Sequence, residues 1–149
     1  MFTFYDTNDL LLLQKVSILS NIEVPILVCN AKLKRHNGQV IAQVRSLHDK
    51  GLVSIKETSD IGFEFVLEHR RTYRALGNSF LEMIHMCISH STTIVVNDDE
   101  TMVRSLAKLF KINVFTMEEF NQATVNNKEY FEFINEIKRE RDRRINSRD

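Results

Sequence analysis

The chain has 149 residues, 43% of them hydrophobic and 27% charged, with 20 basic side chains balanced by 20 acidic ones. That length suits one domain that buries roughly 70% of the surface its unfolded chain exposes, and the charge balance excludes a global field selecting nucleic acid or membrane, so electrostatic recognition has to be local. Cys29 and Cys87 each sit in an apolar run, the setting of a reduced core thiol and not of a disulfide or zinc site, while the absence of a span-length apolar stretch or a cleavable leader predicts a cytoplasmic protein with no membrane partner.

The first element is FTFY at 2–5, a buried strand. It runs directly into Asp6 and Asp9, and because an unpaired buried carboxylate costs several kcal/mol, aspartates at this point predict a partner elsewhere in the chain. LLLLQKVSIL at 10–19 crowds its apolar residues on one wide helical face, and VPILVCN at 24–30 is a second strand. GQVIAQVRSLHDKG then places Val40, Ile41, Val44 and Leu47 at helical spacing, with Gly51 as the stop. LVSIKE at 52–57 is a third strand.

The segment 58–78 fits a helix better than a strand, because Val66, Leu67 and Tyr73 follow helical spacing. SFLEMIHMCISH, apolar around most of its circumference, leads into a strand at 92–97, TTIVVN. Residues 99–110 put Met102, Val103, Leu106, Ala107 and Phe110 on one face behind an acidic first turn that suits the positive end of the helix dipole. INVF at 112–115 is the fifth strand, after which Thr116 and Glu119 form a capping-box pair opening the next helix. The last stretch is amphipathic through Tyr130, Phe131, Phe133, Ile134 and Ile137, then wholly polar, which predicts a frayed, solvated helical tail over about 138–149. With one proline, no repeats and no low-complexity linker, residues 1–149 read as a single domain. Alternation of strands and helices implies a parallel sheet with helices on both faces.

In an open parallel sheet, ligands bind outside the carboxyl ends of the strands. Asp6 follows the first strand and Asp98 and Asp99 follow the fourth, so they share that edge if the two strands are neighbours. Glu82 lies near the start of the helix that feeds the fourth strand, and joins the same rim. Carboxylates about 4 Å apart repel by about 4 kcal/mol at an effective dielectric of 20, so such a cluster is either partly protonated or neutralised by a cation, for which a hard divalent ion, Mg²⁺ or Mn²⁺, is the natural choice.

The same residues carry a resemblance. FYDTNDLL resembles the strand-end signature of PIN-domain nucleases, LGNSFLEMIHMC their segment in which an acid opens a helix, and IVVNDDETMVRSLAKLFKINVFTMEEF their final strand, acidic turn, helix and short strand. The resemblance covers residues 1–20 and 76–120. It implies a three-layer α/β/α PIN-like domain with a central parallel sheet of about five strands, acting as an endoribonuclease that hydrolyses RNA through a metal-bound water. By that resemblance Asp6, Glu82 and Asp99 hold Mg²⁺ or Mn²⁺, with Asp98 and Asn8 supporting, and Asn97 stands where the family has a small hydroxyl residue. The chain departs from the pattern at Lys32, where the family has a glutamate. A protonated lysine cannot ligate a metal, but it neutralises a carboxylate or contacts a phosphate.

Ordinary structural roles compete with these readings. Asp6 also fits a helix cap and DDE a helix start, Glu82 an exposed helical acid, and His85, one turn on, a partly buried histidine with a backbone partner. A cap at Asp6 does not account for the distant acids, which favours the site. KLKRHNG, EHRRTYR and KRERDRR offer basic grips for an RNA backbone, and Tyr73 a ring for a base. The expected partners are therefore RNA and, if the chain is the toxin of a toxin–antitoxin pair, a small inhibitory antitoxin-like protein; a homodimer is left open. The competing functional class is a catalytically inactive PIN-like module that binds RNA or a protein. A receiver-like phosphoacceptor domain is disfavoured, since its acidic pair and late lysine are not found in the required arrangement.

Overall fold

The computed structural model describes residues 1–15, 19, 22–96, 101–124 and 128–146. Among these residues five short parallel strands alternate with helices in chain order: β1 (Phe2–Phe4), α1 (Thr7–Lys15), β2 (Leu27–Cys29), α2 (Asn30–Leu33), α3 (Gly38–Asp49), β3 (Ser54–Lys56), α4 (Asp60–His69), a 3₁₀ turn (Arg74–Leu76), α5 (Asn78–His90), β4 (Thr93–Val96), α6 (Thr101–Leu109), β5 (Val114–Thr116), α7 (Met117–Thr124) and α8 (Lys128–Asn146). Four of the five apolar runs each contain a shorter strand, while the fifth, expected over 112–115, is displaced to Val114–Thr116. β1, β4 and β5 form one three-stranded parallel sheet in the order β1-β4-β5, while β2 and β3 form a separate two-stranded ladder. The two meet at a single parallel bridge between Phe2 and Ile26, where the Phe2 amide donates to the Pro25 carbonyl at 3.0 Å.

Strand side chains alternate between two cores, as the two-residue period of a strand requires. Phe2, Phe4, Val28 and Val95 pack with Leu10 and Leu13 of α1, Val44 and Leu47 of α3 and Phe120 of α7. Leu27, Cys29, Ile94 and Val96 face the other way, onto Phe80, Met83, Ile84 and Cys87 of α5 and Val103, Leu106 and Ala107 of α6. Helices thus cover both sides, which is why the strand sequences are almost continuously apolar. Burial pushes the Cys87 thiol up to about 12 and raises that of Cys29. Both cysteines are free.

The helix ends follow their local chemistry. The Thr116 hydroxyl accepts from the Glu119 amide at 3.1 Å and the Glu119 carboxylate accepts from the Thr116 amide at 3.0 Å, the expected reciprocal box. Gly51 adopts φ +76° just past α3, where the Leu52 amide reaches back to the Leu47 carbonyl at 3.0 Å, a left-handed stop that a side chain disfavours. The helix expected across 58–78 is half present. α4 ends at His69, and Tyr73 stands at the head of the 3₁₀ turn instead of on its face. Val66 is buried, but Leu67 is exposed.

The aspartate that needed a partner is Asp9, 1% exposed, and the partner is Lys138 of α8, 8% exposed, with its ammonium 3.8 Å from the carboxylate. The polar tail therefore begins with a buried lysine, and helical backbone continues to Asn146. The side chains of Tyr130, Phe131 and Ile134 lie outside the described residues; of the remaining amphipathic positions, Phe133 is exposed and Ile137 half-buried.

Candidate functional site

The carboxyl edge of the three-stranded sheet is set by β1 and β4, which pair directly with Phe4 opposite Val95. The Tyr5 amide extends the ladder to the Val95 carbonyl at 2.9 Å, so Asp6 is the first residue beyond it. The Asp6 carboxylate accepts from the Asn8 amide at 2.9 Å and its carbonyl from the Asp9 amide at 3.0 Å, so it also opens α1. Asn8 is exposed and contributes this backbone group.

Lys32 reaches the same edge from α2. Its ammonium donates to the Tyr5 carbonyl at 3.1 Å and lies 4.0 Å from the centroid of the Tyr5 ring and 5.7 Å from that of Phe80. Cation–π attraction and one hydrogen bond thus fix a positive charge beside the residue that precedes Asp6. Tyr5 and Phe80 pack edge to face, with centroids 5.7 Å apart, and form the floor on which the lysine rests.

Asp6 and Lys32 line one cleft of ≈ 460 Å³, together with Arg35, His36, Arg74, Gly77 and Phe80. A second cleft of ≈ 550 Å³ is lined by Arg70, Arg71, Tyr73, Arg74, Gly77 and Asn78. The two share Arg74 and Gly77, so they read as one trough. Gly77, at φ 80° and ψ 161°, occupies a conformation reserved for glycine and lets the chain turn from the 3₁₀ segment into α5 between the clefts. Lys32, Arg35, Arg70, Arg71 and Arg74 converge here on a chain whose net charge is zero, and among the described residues Asp6 is the one carboxylate in either lining.

Glu82 lines a different, narrow cavity of ≈ 60 Å³ with Cys29, Glu57, Thr58 and His85. Its carboxylate accepts from the Thr58 hydroxyl at 2.8 Å, which ties the exit of β3 to α5, and Glu57 accepts from the Asn30 amide group at 2.7 Å. His85 packs on Phe65 at 5.4 Å; burial, and then the neighbouring His90, lower its pKa.

The expected acidic rim is thus described only in part. Asp6 and Glu82 line separate cavities, and Asp98, Asp99 and Asn97 lie outside the described residues. Among the described residues no three His, Cys, Asp or Glu side chains gather where they would hold an ion. In separate cavities, with Lys32 lining that of Asp6 and Thr58 donating to Glu82, the two described acids do not by themselves make a ligand set for a divalent cation. No described helix is long and apolar enough to cross a membrane.

Two basic tracts flagged in the sequence supply the trough, Arg35 from KLKRHNG and Arg70, Arg71 and Arg74 from EHRRTYR. The third, on α8, gives Lys138 to Asp9, and its described side chains are not among those lining either cleft. Sequence reasoning missed Tyr5 and Phe80 as the seat of Lys32; the local signal was a tyrosine immediately before the aspartate. No family model, curated protein or solved structure matches the chain.

Proposed function

We propose that this chain is a PIN-like α/β domain that binds RNA by its phosphates along the trough at the carboxyl edge of the sheet. The observation that carries the reading is the convergence of four arginines and a lysine on two contiguous clefts of a chain whose net charge is zero. Guanidinium groups pair with phosphate oxygens through two parallel hydrogen bonds, and a lysine held on an aromatic floor loses little freedom on meeting an anion. The strand order β1-β4-β5 and the helices on both faces agree with the PIN-like architecture, in which β2 and β3 would continue the sheet past β1 to give about five strands. The test is the double variant Arg71→Glu, Arg74→Glu. It loses binding to a short unstructured RNA while its circular dichroism is unchanged, whereas undiminished binding would remove the trough from the account.

A second reading keeps hydrolysis: a Mg²⁺- or Mn²⁺-dependent endoribonuclease with Asp6, Glu82 and Asp99 as the ligands, Asp98 and Asn8 in support, and an antitoxin-like inhibitor covering the trough. It is favoured by Asp6 standing beyond β1 directly beside β4. Because Lys32 lines the cleft that holds Asp6 while Glu82 lines another, no step through a metal follows from the described residues. RNA cleavage by the wild type in Mn²⁺, lost in Asp6→Asn, is the result that would establish it.

A further inference from the structure

Beyond the arginine cleft the surface changes character at one side chain. Tyr73 lines that cleft and also a hollow of ≈ 350 Å³ walled by Met102, Leu106 and Leu109, with the hydroxyl residues Thr72 and Ser105 at its margin. The Tyr73 ring is held against Phe110 at a centroid distance of 6.0 Å and His69 at 6.1 Å, so the wall between hollow and cleft is braced from behind. Met102 is 58% exposed and Leu109 62%, large apolar side chains left uncovered next to a strongly basic surface.

An occupant that spans both regions must present anionic groups to Arg70, Arg71 and Arg74 and an apolar face, with few polar edges, to the hollow. A nucleotide is divided in that way, with its phosphate on one side and its base on the other. The hollow is of the size that takes a small flat ring system, with two hydroxyls to meet the edge of the ring. We propose that the hollow receives one base of an RNA strand whose phosphates lie in the arginine cleft, which makes single-stranded RNA, with its bases unpaired, the ligand class. This rests on the RNA reading above, and it adds that the protein contacts bases as well as backbone. Apolar surface stacks any base, so the expected preference is for the presence of a base and not for its identity.

The experiment compares a short single-stranded RNA with a strand of the same length and charge in which every base has been removed. The wild type should bind the RNA at least about tenfold more tightly, a single stacked base being worth roughly that factor. The double variant Met102→Ser, Leu109→Ser, altered at exposed positions, should shrink the gap below about threefold while the dependence of log Kd on log salt stays as in the wild type. Arg71→Gln should do the converse, lowering the salt dependence and leaving the gap. Equal wild-type affinity for the two strands, or a gap indifferent to the double variant, overturns the base site and leaves the trough standing. Failure to bind either strand overturns the RNA reading itself, and with it this one. If an acidic, leucine-containing peptide binds more tightly than RNA and is released by the double variant, the hollow belongs to a protein segment and the proposal falls.

Discussion

Replacing Arg74 with glutamine removes the one cation common to both linings and keeps a shorter, polar hydrogen-bonding side chain. Binding to single-stranded nucleic acid releases about 0.7 counterion per phosphate neutralised. If each of the five trough cations meets a phosphate, log Kd rises with log salt with a slope of about 3.5, and affinity falls about a hundredfold between roughly 50 and 200 mM salt. Arg74→Gln should reduce that slope to about 2.8 and the loss over the same interval to about fiftyfold. Arg139 is exposed on α8 and lines neither cleft, so Arg139→Gln is the control and should leave the slope alone. Asp6→Asn removes the carboxylate from the lining and should tighten binding most at low salt, where screening is weakest. Fluorescence anisotropy with a labelled RNA across four salt concentrations resolves these differences. A wild-type slope below about one, or equal changes in the Arg74 and Arg139 variants, would refute the argument.

Three more outcomes are expected. Lys138→Met withdraws the ammonium from the buried Asp9 carboxylate and should cost about 3 kcal/mol in urea unfolding, with part of the loss recovered by adding Asp9→Asn; equal destabilisation by the single and double variants would mean that the charges are not coupled. Because burial raises the Cys87 thiol from 9.0 to about 12, its contribution to stability is fully present below pH 9 and is lost as pH rises toward 12. Cys87→Ala, though destabilised by its lost packing, should therefore decline less steeply than the wild type over that interval, and parallel declines would contradict the assignment. Lys32→Glu exchanges the ammonium beside Asp6 for a carboxylate and should weaken RNA binding while making the melting temperature rise with the logarithm of Mn²⁺ concentration; a Mn²⁺ response identical to that of the wild type would separate Lys32 from any ion site.

The elements of the fold were legible where one segment carries the whole signal. FTFY, VPILVCN and TTIVVN are covered on both faces and so are apolar at nearly every position, and the Thr116–Glu119 box is a contact between residues three apart. What could not be read depends on the meeting of distant segments. Nothing near Asp9 announces Lys138, because the lysine sits in a run of charged residues that otherwise looks solvated. Lys32 was legible as a departure at the rim, yet its role depends on Tyr5 and Phe80, aromatic residues from two other elements. Glu82 was expected at the rim on the direction of α5 alone; its rotation about the helix axis, which turns it to Thr58, needed the neighbouring β3–α4 connection. The arginines of EHRRTYR were visible as charge, but their union with Arg35 across Gly77 required the left-handed turn between the 3₁₀ segment and α5.

The most direct test of the trough is to titrate isotopically labelled protein with a short single-stranded RNA and follow every backbone amide by NMR. The account predicts that the largest shifts fall on Tyr5, Asp6, Lys32, Arg35, Arg71, Arg74 and Gly77, saturating together with one dissociation constant that weakens as salt is added. Shifts confined to α8, or to the opposite edge of the sheet around Ser91 and Lys111, would contradict it.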